Sequence, residues 1–153
     1  MEYTSPTRII LDKNLRIPIN SYILKTAQDF NTIIFFNKAN LNKLNLFKSF
    51  GIKLYKSPLD ESYNFNLLNV LKKVQSMGFS RIFLESGIKL TEVFLKNSLV
   101  DDFYLFISDK KLGINGKNNF KSSLKFLKNN KKNIYTKVNL LGDKMLSYRL
   151  KDV

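Results

Sequence analysis

The stretch FLESGIKL, which runs from Phe83 to Leu90, contains residue types that suit the binding of a phosphorylated ligand. Apolar residues typical of a strand lead into Glu85, a serine and Gly87, and a helical pattern begins after them. The amino end of a helix presents unpaired backbone N–H groups and a partial positive charge, so it attracts phosphate. A glycine there lets a ligand approach the backbone closely. The turn is therefore a candidate pyrophosphate site, assisted by the Thr91 hydroxyl or the Lys89 ammonium, with Glu85 facing a sugar or a base.

The same turn also has a purely structural explanation. Ser86 is a good N-cap, Gly87 permits the turn, and Glu85 can be a solvated strand end. Asp12, at the end of an earlier strand-like run, can equally cap the turn that follows it. The pair Asp101–Asp102 is adjacent in sequence, so its carboxylates point to opposite faces of a strand, and we expect capping or a solvated edge there and no metal. From the residues alone, the ligand-binding and structural explanations both stay open.

The composition excludes several classes of site. The 153-residue chain has no cysteine and no histidine. Disulfide scaffolds, the usual Cys/His zinc sites and any Cys-His or Ser-His catalytic pair are therefore excluded. No apolar run approaches the roughly 18–20 residues that cross a bilayer, and the first residues lack the features of a signal peptide. We therefore expect a cytoplasmic protein with no membrane partner.

The net charge of +14 has two explanations. It can mark a surface that binds nucleic acid or an anionic substrate, or it can reflect a composition rich in lysine. Only four of the 26 basic residues are arginine, whereas proteins that read nucleic-acid grooves favour the arginine fork. The lysines are also spread along the chain. The compositional explanation is therefore favoured over nucleic-acid binding.

Strand-like and helix-like patterns alternate along the first two thirds of the chain. Helical spacing of apolar residues is expected after Asn40, after Asn66 and from Gly87 or Ile88 onwards, the last helix having Leu90, Val93 and Phe94 on its inner face. The strand-like runs are Thr7–Asp12, Thr32–Asn37, Ile52–Lys56, Ser80–Glu85 and Asp101–Ser108.

Two further strand-like runs follow, and they form a predicted antiparallel hairpin around Gly142 and Asp143. The whole pattern predicts an α/β fold with a mostly parallel mixed sheet, helices on both faces and an antiparallel C-terminal hairpin. Such sheets bind ligands at the carboxyl ends of their strands. The turn at Glu85 and Gly87 is expected at one of those ends.

The order of these segments resembles a known family. The run that ends the first strand matches the pattern Asp-x-x-Leu-Arg-x-Pro, and a later run matches Glu-small-Gly, a helix with Phe-Leu, and Leu-Val-Asp. The matching residues are Asp12, Leu15, Arg16, Pro18, Glu85, Ser86, Gly87, Leu90, Phe94, Leu95, Leu99, Val100 and Asp101. In this order they resemble the C-terminal reductase domain of the bifunctional riboflavin-biosynthesis deaminase/reductase, over nearly the whole chain.

The resemblance implies a dihydrofolate-reductase-like fold and the NADPH-dependent reduction of a phosphoribosylamino-pyrimidine to its ribityl form. It also implies that Glu85 contacts the substrate, and it assigns no catalytic residue. Lys13 lies at a position near the cofactor in the family, and we expect it to meet the extra phosphate of NADPH. The residues expected to bind the cofactor are Gly87, Ile88, Lys89, Leu90, Thr91 and Lys13.

The resemblance also has a limit, because the first part of the family's reductase domain has no counterpart in these residues. We therefore expect residues 1–153 to form one partial reductase domain, and we expect it to be a homodimer. Two alternatives stay open. One is a non-enzymatic dimerisation or scaffold module, since the loss of a strand exposes a sheet edge. The other, less favoured, is a basic module that binds nucleic acid.

Overall fold

A computed structural model of the chain describes residues 5–108, 110, 127, 133–136 and 142–151. Its elements in chain order are β1 (Arg8–Leu11), α1 (Tyr22–Lys25), β2 (Thr32–Phe36), α2 (Leu41–Ser49), β3 (Lys53–Lys56), α3 (Leu67–Ser76), α4 (Ile88–Lys96), β4 (Asp102–Ile107), β5 (Asn133–Thr136) and β6 (Lys144–Arg149). The chain divides into two compact units, Met1–Arg81 and Ile82–Val153.

The first unit contains a parallel three-stranded sheet in the order β1-β2-β3. The central strand β2 reads TIIFF, and all five of its residues are buried. A strand covered on both faces needs apolar side chains at every position, which explains this unbroken run. The predicted parallel sheet is therefore confirmed.

Helices cover both faces of this sheet. Ile34 and Phe36 of β2 belong to a cluster that includes Leu24 of α1 and Phe47 of α2. Ile33 and Phe35 point the other way and belong to a second cluster with Val70 and Val74 of α3. Successive side chains of a strand alternate between the faces, so one strand supports two apolar layers. The predicted placement of helices on both faces is confirmed in this unit.

The second unit contains α4 and an antiparallel three-stranded sheet in the order β4-β6-β5. The predicted hairpin is confirmed, because β5 pairs antiparallel with β6, for example Tyr135 with Leu146. Two ion pairs lie at one end of β4: Lys151 Nζ is 2.8 Å from the Asp101 carboxylate, and Arg149 Nε is 3.7 Å from that of Asp102. Asp101 and Asp102 are thus paired with cations of the final strand and its flank.

One predicted strand is absent. Residues 79–87 form neither helix nor strand, although Ser80–Glu85 has the composition of a buried strand. A strand is stable only when a neighbour accepts its backbone hydrogen bonds, and among the described residues this segment has no such neighbour. Phe83 is accordingly 79% exposed. The prediction of a strand at Ser80–Glu85 is wrong for this reason.

The inner face of α4 also differs from the prediction. Phe94 is buried as expected, but Val93 is 42% exposed and Leu95 is buried. Residues three and four positions apart share one face of a helix. Thr91, Phe94 and Leu95 therefore form this inner face, and the predicted Leu90 is half-buried beside Phe94. Within the described parts of the chain, no helix is long and apolar enough to cross a membrane, and no group of three acidic side chains could hold a metal ion.

Candidate functional site

The amino end of α4 lacks a side-chain cap, unlike those of the other three described helices. Ser21 caps α1, Asn40 caps α2 and Asn66 caps α3, each by accepting a hydrogen bond from a backbone N–H in the first turn. The N-cap of α4 is Gly87, which has no side chain to accept one. The first helical backbone bond runs from Thr91 N–H to the Gly87 carbonyl at 3.2 Å. The N–H groups of residues 88–90 are therefore available to an anion.

Neither backbone conformation nor packing explains why residue 87 is a glycine. Its φ of −67° and ψ of 162° are accessible to any residue. Among the described residues other than its chain neighbours, no heavy atom lies within 4 Å of a Cβ built on Gly87. A glycine at this position leaves the backbone open to close approach.

The side chains of Ser86 and Thr91 stabilise the turn by hydrogen bonds. Their hydroxyl oxygens are 2.9 Å apart, and the Thr91 hydroxyl is also 3.3 Å from the Gly87 carbonyl, to which it donates. The Ser86 hydroxyl is therefore hydrogen-bonded to Thr91. Ser86 is not the N-cap of α4, as the purely structural explanation requires it to be. Thr91 lies on the inner face of α4, where its hydroxyl stabilises the shape of the turn.

Two charged side chains border this turn. Glu85 lies two residues before the N-cap and is exposed, and Lys89 is exposed in the first turn of α4. Neither forms an ion pair within the described part of the chain. Ile88 and Leu90 are half-buried and anchor the first turn. The structure thus brings together the predicted residues from Glu85 to Thr91.

Lys13 belongs to the first unit, at the carboxyl end of β1. Its carbonyl accepts hydrogen bonds from the N–H groups of Asn37 and Lys38, which follow β2, at 2.9 and 3.0 Å. Its ammonium donates to the Tyr63 carbonyl, after β3, at 2.6 Å. Lys13 therefore ties together the three loops at the edge of the sheet where ligands of α/β proteins bind.

The sequence did not indicate the loop Leu59–Phe65 as part of this edge. The Asp60 carboxylate accepts hydrogen bonds from the N–H groups of Ser62 and Asn64, both at 2.9 Å. Tyr63 stands at its tip with a φ of +58° and is 76% exposed. The spacing of Asp, Ser and Asn is typical of such a turn, but only the tertiary contact with Lys13 shows where the turn lies.

Comparison with known families decides what kind of domain this is. A family described as the RibD C-terminal domain matches residues 1–145. The chain belongs to the RibD C-terminal domain family. The predicted resemblance to a riboflavin-biosynthesis reductase domain is thereby confirmed at the level of the family.

Two curated relatives of this RibD C-terminal domain are both named riboflavin biosynthesis protein RibD. The protein from Aquifex aeolicus (strain VF5) is 32% identical over 108 residues, and that from Actinobacillus pleuropneumoniae is 26% identical over 108 residues. Each match covers 71% of this chain and 28% of the relative. The chain therefore spans less than a third of the length of these relatives.

The fold of the RibD C-terminal domain is also recognised among solved structures. Two solved structures of Acinetobacter baumannii RibD, described as form 1 and form 2, each match with a TM-score of 0.60 and 18% sequence identity. Each match covers 94% of this chain and 37% of the solved chain. The predicted dihydrofolate-reductase-like mixed α/β fold is thereby confirmed.

Proposed function

We propose that this chain contributes the NADPH-binding turn of a reductase in riboflavin biosynthesis. The reaction is the reduction of a phosphoribosylamino-pyrimidine to its ribityl form. The observation that carries the proposal is the uncapped amino end of α4, with a glycine at residue 87 that the fold itself does not require. Since the chain spans 28% of its curated relatives, the activity of the whole protein is part of this proposal.

Each residue near the turn has a role in the proposed complex. The N–H groups of Ile88, Lys89 and Leu90 donate to the cofactor's pyrophosphate, and Gly87 leaves room for it. The Lys89 ammonium neutralises part of its charge, and Thr91 keeps the turn in shape. These are backbone and positioning contacts, so they bind the cofactor without taking part in bond breaking.

One side chain in each unit is proposed to contact a ligand. Glu85 accepts hydrogen bonds from the sugar or the pyrimidine of the substrate. Lys13 donates one of its three N–H bonds to Tyr63, so two remain for the extra phosphate that distinguishes NADPH from NADH. Bound NADPH supplies a hydride to the ring-opened, imine-like form of the ribose, and the protein supplies position and charge.

The proposal treats residues 1–153 as one partial reductase domain in a cytoplasmic homodimer. Its ligands are NADPH and a phosphorylated pyrimidine, and nucleic acid is not among them. The lysine excess then belongs to the surface, apart from the few lysines that meet anionic ligands.

The test is a calorimetric titration of the chain with NADPH and, separately, with NADH. We expect saturable binding of NADPH that is weakened about tenfold or more by Gly87→Ala, because a methyl group occupies the space of the phosphate. The new Cβ meets no described residue beyond its chain neighbours within 4 Å, so the thermal unfolding midpoint of this variant should match wild type. Undiminished NADPH binding by Gly87→Ala, or no saturable binding by the wild type, contradicts the proposal.

The roles of the two charged residues are tested separately. Lys13→Ala should lower the affinity for NADPH to that for NADH and leave NADH binding unchanged. Glu85→Gln should leave NADPH affinity unchanged and slow NADPH oxidation when the pyrimidine substrate is added. Turnover by Glu85→Gln equal to wild type removes Glu85 from the substrate site.

A further inference from the structure

The first unit contains a pocket at the amino ends of its strands, on the face of the sheet that α3 covers. Its volume is about 150 Å³. Ile33 of β2 and Tyr55 of β3 line it and belong to the apolar cluster under α3. Met77 and Phe79, which follow α3, line it as well. We refer to this space as the amino-edge pocket.

The end of α3 explains why this part of the sheet is not filled. Met77 is the C-cap of α3, and Gly78 follows it with a φ of +92°. A left-handed residue at this position ends a helix. Val74, inside the helix, is buried in the same cluster as Ile33, whereas Met77 and Phe79 beyond its end are only half-buried. The pocket therefore has an apolar wall that reaches solvent.

Three polar residues complete the lining, and each lies where a strand begins. Thr7 precedes β1, Asn31 precedes β2, and Lys53 is the first residue of β3. Lys53 is opposite Ile33 in the β2–β3 register and two residues from Tyr55, so its side chain is on the α3 face of the sheet. Its ammonium forms no ion pair among the described residues, and no carboxylate is among the described residues that line the pocket. The pocket therefore combines an apolar wall with a positively charged rim.

The size of the pocket restricts what it can bind. An apolar cavity of about 150 Å³ holds one benzene molecule, so the space suits a single ring and not a fused ring system or a dinucleotide. Aromatic rings and a methionine sulfur make favourable contacts with another aromatic ring. Tyr55, Phe79 and Met77 supply these contacts. The wall therefore favours a single aromatic ring.

The charges beside the pocket favour an anionic ring. The Lys53 ammonium attracts a carboxylate, and the Asn31 amide and the Thr7 hydroxyl can donate further hydrogen bonds to it. Lys73 Nζ lies 5.0 Å from the centre of the Tyr55 ring, which adds a second positive charge near the wall of the pocket. A ring that carries a carboxylate therefore fits this pocket better than a neutral one.

We propose that the amino-edge pocket binds a single-ring aromatic carboxylate, with its ring against Tyr55, Met77 and Phe79 and its carboxylate on Lys53. This site is separate from the one proposed for NADPH. The strands of this sheet are parallel, so their amino ends share one edge, and Lys13 lies at the opposite edge, after the end of β1. The first unit therefore holds a second small-molecule site that is independent of the cofactor.

The first experiment is a calorimetric titration of the chain with benzoate, with acetate and benzyl alcohol as controls that carry the anion or the ring alone. Benzoate should bind saturably with a dissociation constant on the order of 1 mM, as expected for a ligand of so few atoms. Benzyl alcohol should bind at least about fivefold more weakly, and acetate should show no saturation. Either control binding as tightly as benzoate, or no saturable binding of benzoate below about 20 mM, overturns the proposal.

The role of Lys53 is tested with a matched pair of variants. Lys53→Ala should weaken benzoate binding at least about fivefold and leave benzyl alcohol binding unchanged. Lys56→Ala removes the lysine at the other end of β3 and should bind benzoate like wild type. Both side chains are exposed, so both variants should keep the thermal unfolding midpoint of wild type. Equal benzoate affinity in the two variants overturns the proposal.

Methionine methyl resonances in NMR spectra show where benzoate binds. The ring current of bound benzoate should shift the methyl signal of Met77 and leave that of Met145, in β6 of the second unit, in place. A saturating concentration of NADPH should not change the affinity for benzoate, because Lys13 lies at the opposite edge of the sheet. A shift of Met145 as large as that of Met77, or competition between benzoate and NADPH, overturns the proposed location.

Discussion

Leu15 satisfies two requirements that usually need different residues. Its side chain is fully buried in the cluster beneath α1 and α2, and its backbone has a φ of +50°. The left-handed region costs a leucine about 1–2 kcal/mol. Hydrogen bonds hold the residue there, from Leu15 N–H to the Asp12 carbonyl and from Ile17 N–H to the Asp12 carboxylate. The core therefore retains a side chain whose backbone would prefer a glycine.

This conflict predicts that replacing alanine by glycine has different effects at two buried leucines, Leu15 and Leu24. Leu15→Ala and Leu24→Ala should each lower the free energy of unfolding by about 2–5 kcal/mol. At Leu24, inside α1, glycine should cost about 1 kcal/mol more than alanine. At Leu15, glycine should be no worse than alanine, because it relieves the left-handed strain. Urea unfolding of the four variants measures this, and a glycine penalty of equal size at both positions contradicts it.

At the scale of elements, α4 carries a lysine at each end. Lys89 lies in the first turn, where the helix dipole repels a cation, and Lys96 lies in the last turn, where it attracts one. Both side chains are exposed. A lysine in the first turn of a helix is explained if an anion binds beside it. In the proposed site, that anion is the phosphate of the cofactor.

The two lysines therefore form a matched pair of tests. Lys89→Ala should raise the unfolding midpoint of the free chain by about 1–3 °C and weaken NADPH binding. Lys96→Ala should lower the midpoint and leave NADPH binding unchanged. Calorimetry and thermal unfolding on the same samples provide both measurements. If the two variants lose the same NADPH affinity, Lys89 has no specific role.

Local patterns predict the elements whose burial leaves a clear periodicity in the sequence. A strand buried on both faces, such as β2, has an unbroken apolar run. A helix buried on one face, such as α3, has apolar residues every three or four positions. The strand prediction for Ser80–Glu85 is wrong because an apolar composition indicates burial but does not show whether a neighbouring strand exists. In the candidate site, Gly87 is predicted from its residue type and its position between a strand-like run and a helix. The contact between Thr91 and Ser86 and the one between Lys13 and Tyr63 depend on tertiary placement, which no local pattern specifies.

At the scale of the whole molecule, the two compact units meet in sequence at Arg81 and Ile82. This junction lies within residues 79–87, which form neither helix nor strand. Proteases bind their substrates as unpaired extended segments, so exposed sites of this kind are cut first. Arg16 is also exposed, but it is flanked by the buried Leu15 and by Ile17, whose N–H is bonded to Asp12.

An arginine-specific protease should therefore cut first after Arg81. The expected products are residues 1–81 and 82–153, identified by mass spectrometry at short digestion times. Arg81→Lys should remove this cleavage and leave the others unchanged. An earlier cut after Arg16 contradicts the expected order.

The position of β6 has a consequence for the order of folding. It is the last described strand along the chain, yet it lies in the middle of its sheet, with β4 on one side and β5 on the other. During synthesis the earlier strands emerge first, and neither has the other as a neighbour. The second sheet therefore cannot form from its first strand alone, and it is complete only when β6 has paired with both β4 and β5.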